Sequence, residues 1–521
     1  MIPAAPVLQR PVHRSFFSGS HYNPYFLITR NAHRLKELDP SDSTATLDFN
    51  LAHIHENVHW FQHVGTTYGA FMDALRSSQR YVLMRFLREL PRTQRKALLE
   101  DRLKTGRPFI ELDPRTQYPK DITFDAPAVS LVKQIWFDHQ WLHASFEDSR
   151  ATDRLGHPPV DACSNVMADV ILNACDTHGF LSPDYNADSH VGARDWYFTT
   201  DRTIAEVVTE IDGERVHVTS VGLMECAASL NELQWLQGNM IGVVAPDELK
   251  RIVQARIEEF VGSSYSIPFK LFHLASDRPR TRSSTLWLSL NLLVFFALNP
   301  PLPPRILSRP REPLTWPEVY PPIRFFMGLR VLDDIEPISD PQSVVEMQRY
   351  IADIANATGL EYCGDVPIPQ RKYTTAEWDA ASETENYPLS IDDELIIQAQ
   401  LRVERIPDRL PLIANFASCL QGKLSRQFAR LIFAHEERYD FLGPPLEFLK
   451  NGKVGFRGSA AFGNNVVRSV AVSAALFEFA CGAGKFSLAE LPSEVGRGDN
   501  MFRFMEDTLH HLIVETDNVY K

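Results

Sequence analysis

The sequence predicts an α+β protein that is mostly helical, with strand-forming segments near its start and a largely helical C-terminal part. Three observations lead there. Two short runs rich in β-branched and aromatic residues, Pro24 to Arg30 and Thr44 to Phe49, open the chain between turn formers. Helical patterns then recur at Leu51 to Val64, Thr66 to Leu90, Leu223 to Gln237, Asp247 to Val261, Ser284 to Leu298, Asp392 to Arg405, Leu412 to His435 and Val466 to Cys481. Between Glu206 and Val218 two alternating runs flank Asp212-Gly213, which is a hairpin signal.

At 521 residues and 44% hydrophobic content, the chain can bury a large core divided between two domains. Nine prolines between Pro300 and Pro322 exclude regular helix and read as a rigid connecting arm, so the expected domains are 1–322 and 323–521. A polar interval from about Pro367 to Asp393 is expected to be an exposed loop region. Acidic residues outnumber basic ones by 66 to 53, and the net charge of -13 argues against nucleic acid or an anionic membrane as partner. The apolar run Thr285 to Leu298 is too short to span a bilayer and is expected to be a buried core helix. The opening MIPAAPVLQRPVHRSFF lacks the continuous apolar stretch of an export signal, and six scattered cysteines suit buried thiols. A cytoplasmic protein is the expectation.

The segment that carries chemistry is His55-Glu56-Asn57-Val58-His59, which fits HExxH. It lies in the stretch LAHIHENVHWFQHV, with Asp48 or Asn50 available as a cap and Gly65 as a stop. Histidines four apart on a helix lie nearly above one another, so both imidazoles can reach one metal ion. Glu56, one position round, then points at a water bound to that ion. Zinc in such a place polarises a carbonyl and acidifies the water, and the carboxylate takes the water's proton. His63 extends the stripe by another four residues, which a packing face does not need.

With these residues the sequence resembles the zincin superfamily of zinc metallopeptidases. The resemblance implies a small N-terminal sheet packed on the HExxH helix, an edge strand that holds the substrate, a Zn2+ cofactor, and cleavage of a peptide or protein. The metzincin subgroup is rejected, because Gly65 stands where its third histidine belongs and Gln62 where its glycine belongs.

A catalytic zinc needs a third protein ligand. His63 reaches the same ion only if the helix bends, and otherwise supports the ligands or packs. Asp73 follows Gly65-Thr66 as in the aspzincins, but its spacing does not match theirs; Glu89 sits in the more charged RFLREL. The leading candidate is Glu225, in the helical pattern Ser220 to Gln237 capped by Thr219 or Ser220. There a carboxylate sits among small and apolar residues, and a cation is one of the few partners that offsets its burial. Glu232, seven residues on, returns to nearly the same face. This looks like the glutamate helix of the gluzincins, which implies Glu225 as ligand with a further carboxylate behind the metal. The chain departs from that family at Ser229, where an aspartate is common, and in the long gap from His59 to Glu225.

Tyrosine or histidine commonly stabilises the oxyanion in such enzymes, and His217, Tyr265 and His273 are the candidates. Two other readings compete. One is a non-catalytic or latent zincin-like regulatory protein, with the Pro-rich arm as its plug. The other is a di-iron carboxylate protein built on Glu56–His59 and Glu214–His217, although the second pair falls on the predicted hairpin. The C-terminal helical part is expected to shape the cleft or bind a protein partner.

Overall fold

The computed structural model describes residues 21–23, 28–30, 43–69, 71–72, 75, 146–147, 208–211, 213–239, 245–276, 283–302, 316–362, 409–419, 446–450 and 453–457. These residues are mostly helical, with two small sheets. The expected helices at Asp392 to Arg405 and Val466 to Cys481, the polar interval, most of Thr66 to Leu90 and the middle of the Pro-rich arm lie outside them.

The first sheet pairs β1 (His21–Asn23) antiparallel with β2 (Ile28–Arg30). It is not confined to the N-terminal part, as expected above. β2 also pairs in parallel with β5 (Leu446–Lys450), Thr29 opposite Leu446, and β5 pairs antiparallel with β6 (Lys453–Arg457). The order is β1-β2-β5-β6, and β1 touches the first helix. The second sheet is the predicted hairpin, β3 (Val208–Ile211) with β4 (Glu214–His217). Gly213 takes φ of 81° in its turn, a left-handed backbone that glycine adopts without steric cost.

Helix α1 spans Ser43–Gly65, so the strand expected over Thr44 to Phe49 is helical instead. No proline or glycine interrupts this run, and the helix continues back through it, overriding the β-propensity of its threonines. Leu51, Ile54, Val58 and Phe61 are buried at the i, i+3, i+7 spacing of one helix face. Helix α1 packs against α2 (Ser220–Asn239), whose Leu223, Ala227, Leu230 and Leu233 are buried as well. Thr219 caps α2, its Oγ1 accepting from Gly222 N at 2.9 Å.

Helix α3 (Pro246–Gly262), a 3-10 turn (Ser264–Ser266) and α4 (Ile267–Ala275) also pack on α2. Helix α5 (Ser283–Ala297) is the expected core helix, with Leu288, Leu290, Leu292, Leu293 and Phe296 wholly buried. Among the described residues no helix is long and apolar enough to cross a membrane.

The Pro-rich arm ends in helix, against expectation. Short α6 (Trp316–Val319) leads to α7 (Pro321–Arg330), which begins on two prolines. The first turn of a helix has no intrahelical partner for its N–H groups, so proline starts a helix there at no cost. Helix α8 (Val344–Thr358) starts at a Ser343 cap and stops at Gly359, whose φ is 67°. Helices α9 (Arg409–Ala414) and α10 (Phe416–Cys419) break the run expected from Leu412 onward at Asn415, whose Nδ2 donates to Pro341 O at 2.9 Å. Helix α5 packs against α2, α7, α8 and α9, so helices from both halves of the chain share this core.

Candidate metal centre

The facing sides of α1 and α2 bring three donor atoms together. His55 Nε2 lies 3.2 Å from Glu225 Oε2 and 3.0 Å from His59 Nε2, and His59 Nε2 lies 3.4 Å from Glu225 Oε2. The i, i+4 spacing on α1 stacks the two imidazoles, whose rings meet edge to face with centroids 4.7 Å apart. Helix α2, which packs against α1, contributes the carboxylate of Glu225, next in sequence to the buried small residues Cys226, Ala227 and Ala228. Donors bound to one tetrahedral zinc at about 2.0–2.1 Å stand about 3.3–3.4 Å apart. The observed triangle of 3.0–3.4 Å therefore fits such an ion in both size and donor chemistry. Among the described residues this is the group of histidine, cysteine or acidic donors that could hold a metal.

Each imidazole is held from behind. His55 Nδ1 is paired with Glu232 Oε1, as the return of Glu232 to the same face of α2 suggested. His59 Nδ1 faces Gln62 Oε1 at 2.9 Å, and Gln62 Nε2 donates to Met224 O at 3.0 Å. Partners of this kind orient metal-binding histidines and raise their basicity. In the sequence Gln62 stands out only as a departure from the metzincin pattern. Its place three residues after His59 on one helix was the signal that would have found it.

The charges are strongly coupled. Burial disfavours the His55 imidazolium, but the Glu232 and Glu225 carboxylates outweigh burial and hold its pKa well above the ordinary value. Burial alone would raise the Glu225 pKa, yet the His59 and His55 imidazoles pull it far below the usual carboxylate range. The four side chains keep between 13% and 26% exposure, so the cluster is sheltered but reachable. Beside Glu225 the Cys226 thiol is deeply buried, which pushes its pKa up and leaves it an inert packing group.

The remaining candidates are dispersed. Glu56 is buried on α1 next to His55. His63 is buried one turn beyond His59 and does not join the donor triangle; neither does His217, half-buried at the end of β4. Tyr265 is 40% exposed in the 3-10 turn that packs on α2, and His273 stacks edge-on against Phe269 in α4. Asp73 and Glu89 lie outside the described residues. Comparisons with protein-family models, curated proteins and solved structures find no match to this chain.

Proposed function

We propose that this protein is a zinc-dependent hydrolase of peptide or amide bonds, with a peptide or protein as substrate. One observation carries the reading: an HExxH pair and a carboxylate from a second helix form a triangle of tetrahedral size, each imidazole supported through its other nitrogen. His55, His59 and Glu225 would hold the ion, and three protein ligands with partial exposure are the arrangement of catalytic rather than closed structural zinc. Bound zinc supplies a Lewis acid that polarises a carbonyl and lowers the pKa of water. Glu56, beside the ligands on the same helix, serves as general base: its carboxylate accepts the proton of the attacking water and returns it to the leaving nitrogen. Glu232 holds His55 in orientation through Nδ1. The di-iron alternative is weakened because Glu214 and His217 lie in β4 and outside the donor group.

Elemental analysis of the purified full chain tests the centre. About one zinc per chain is expected, lost in His59→Ala and in Glu225→Ala. Glu56→Gln is expected to keep the zinc and to lose peptide cleavage by a factor of at least about 100. Full activity in Glu56→Gln sinks the mechanism. About two irons per chain would replace it with the carboxylate di-iron reading, and bound zinc without hydrolysis of any peptide would leave a metal-stabilised regulatory scaffold.

A further inference from the structure

On the reading of His55, His59 and Glu225 as metal ligands, His59 must present a lone pair from Nε2 before an ion arrives. We propose that Gln62 is the positioning residue of the centre: its single amide locks the tautomer of His59 and holds the glutamate helix in register.

A backbone carbonyl can only accept a hydrogen bond. Met224 O receives a hydrogen bond from Gln62 Nε2 at 3.0 Å, so the amide nitrogen must face α2. The amide oxygen is thereby turned toward His59 and lies 2.9 Å from its Nδ1. That oxygen accepts, so Nδ1 must carry the hydrogen. A neutral imidazole has one N–H, and His59 Nε2 is left with a free lone pair aimed into the triangle, 3.0 Å from His55 Nε2 and 3.4 Å from Glu225 Oε2. The reversed amide would set the Gln62 oxygen against the Met224 oxygen. Gln62 is 1% exposed, so no solvent would screen that repulsion.

The same side chain acts on both helices. It belongs to α1, three residues after one ligand, and grips α2 at the residue immediately before the other, Glu225. His55 is served differently, by the Glu232 carboxylate. A neutral amide behind His59 selects its tautomer without adding a third negative charge to a centre that already holds Glu225 and Glu232.

Two measurements on the full chain test this: zinc affinity by chelator competition, and the His59 tautomer in metal-free protein by long-range proton–nitrogen NMR at mildly alkaline pH. The wild type is expected to show His59 protonated on Nδ1. Gln62→Leu keeps the volume but removes both hydrogen bonds; it should mix the tautomers and weaken zinc binding by about 10-fold or more. Gln62→Glu retains an acceptor for Nδ1–H but loses the donor to Met224 O and adds a third negative charge; it should restore the tautomer without restoring the affinity, a split that a merely space-filling role would not produce. A wild-type His59 protonated on Nε2, or a Gln62→Leu chain that binds zinc as tightly as wild type, overturns the proposal. Should Gln62→Leu fail to fold, the wild-type spectrum and the Glu variant decide the matter. A wild type that binds no zinc defeats the proposed hydrolase, whereas the tautomer assignment is read without metal and stands or falls on its own spectrum.

Discussion

The His55 imidazole lies 3.2 Å from the Glu225 carboxylate and is also paired with Glu232, and without an ion these opposite charges stabilise one another. Burial opposes the charged form of His55, yet Glu232 and Glu225 raise its pKa well above the ordinary 6.5. Its stabilising contribution is therefore fully present below pH 6.5 and is lost as pH rises through the raised folded value. Burial would raise Glu225, yet His59 and His55 depress it below its ordinary 4.5, so its contribution is present above pH 4.5 and is lost as pH falls through the depressed value. Both act together between pH 4.5 and 6.5, where this cluster should stabilise the metal-free protein most. Zinc must displace the His55 proton, so zinc loading should release protons and zinc affinity should fall on acidification. Thermal unfolding across that range, with and without chelator, measures both effects. An affinity that rises as pH falls contradicts the ligand assignment. Of this cluster, His55 and His59 were readable from spacing alone. Gln62 was not, because an uncharged amide gains its role only from the carbonyl it meets on another helix.

At the scale of elements, the position of the ligands depends on how the end of α1 is pinned. Thr67 Oγ1 donates to Pro300 O at 2.7 Å, Thr67 N to Asn299 Oδ1 at 3.2 Å, and Tyr68 N to Leu298 O at 3.1 Å. These bonds join the exit of α1 to the exit of α5. Gly69 completes the turn, its N–H donating to Thr66 Oγ1 at 3.0 Å. A Cβ on residue 69 would overlap the His63 carbonyl oxygen and stand 2.7 Å from that of Gln62, and backbone atoms cannot yield as a flexible side chain can. Gly69→Ala is therefore expected to destabilise by about 1–3 kcal/mol or more in chemical denaturation, and to loosen zinc by displacing the Gln62 turn. Unchanged stability would show that this turn is not under steric constraint. Helix α1 also shows where local reading failed. The threonines near its start favour strand in isolation, but nothing breaks the backbone between Ser43 and Gly65, and the helix extends through them.

At the scale of the molecule, a fully buried Arg324 joins segments distant in sequence. Its guanidinium donates to the carbonyls of Glu318 at 2.8 Å, Glu361 at 2.7 Å and Phe296 at 3.4 Å, and lies 4.6 Å above the Phe296 ring. Removing the fork leaves buried carbonyls without their donors and a cavity beside α5. Arg324→Ala is expected to cost about 3–5 kcal/mol, and Arg324→Lys most of that, since an ammonium cannot reproduce the planar fork. Denaturant titration measures both; a fully stable Lys variant would show that charge alone suffices. The parallel pairing of Thr29 with Leu446 similarly joins segments from the two halves of the chain. No local pattern in either strand announces it.

Amino-acid order alone decided the features whose physics is short-range. The helix period turns His55 and His59 into neighbours, the alternating runs on either side of Gly213 pair as a hairpin, and the apolar run beginning at Thr285 makes a helix that must be buried. Tertiary packing decided which of the chain's many acidic residues meet those imidazoles. Glu225 and Glu232 lie 170 and 177 positions from His55, and only the burial of apolar faces between α1 and α2 brings them into contact. It also decided that Gln62 would face Met224 and His59 at once, because hydrogen-bond partners across a helix interface depend on the register of the two helices, which is a property of neither sequence segment taken singly.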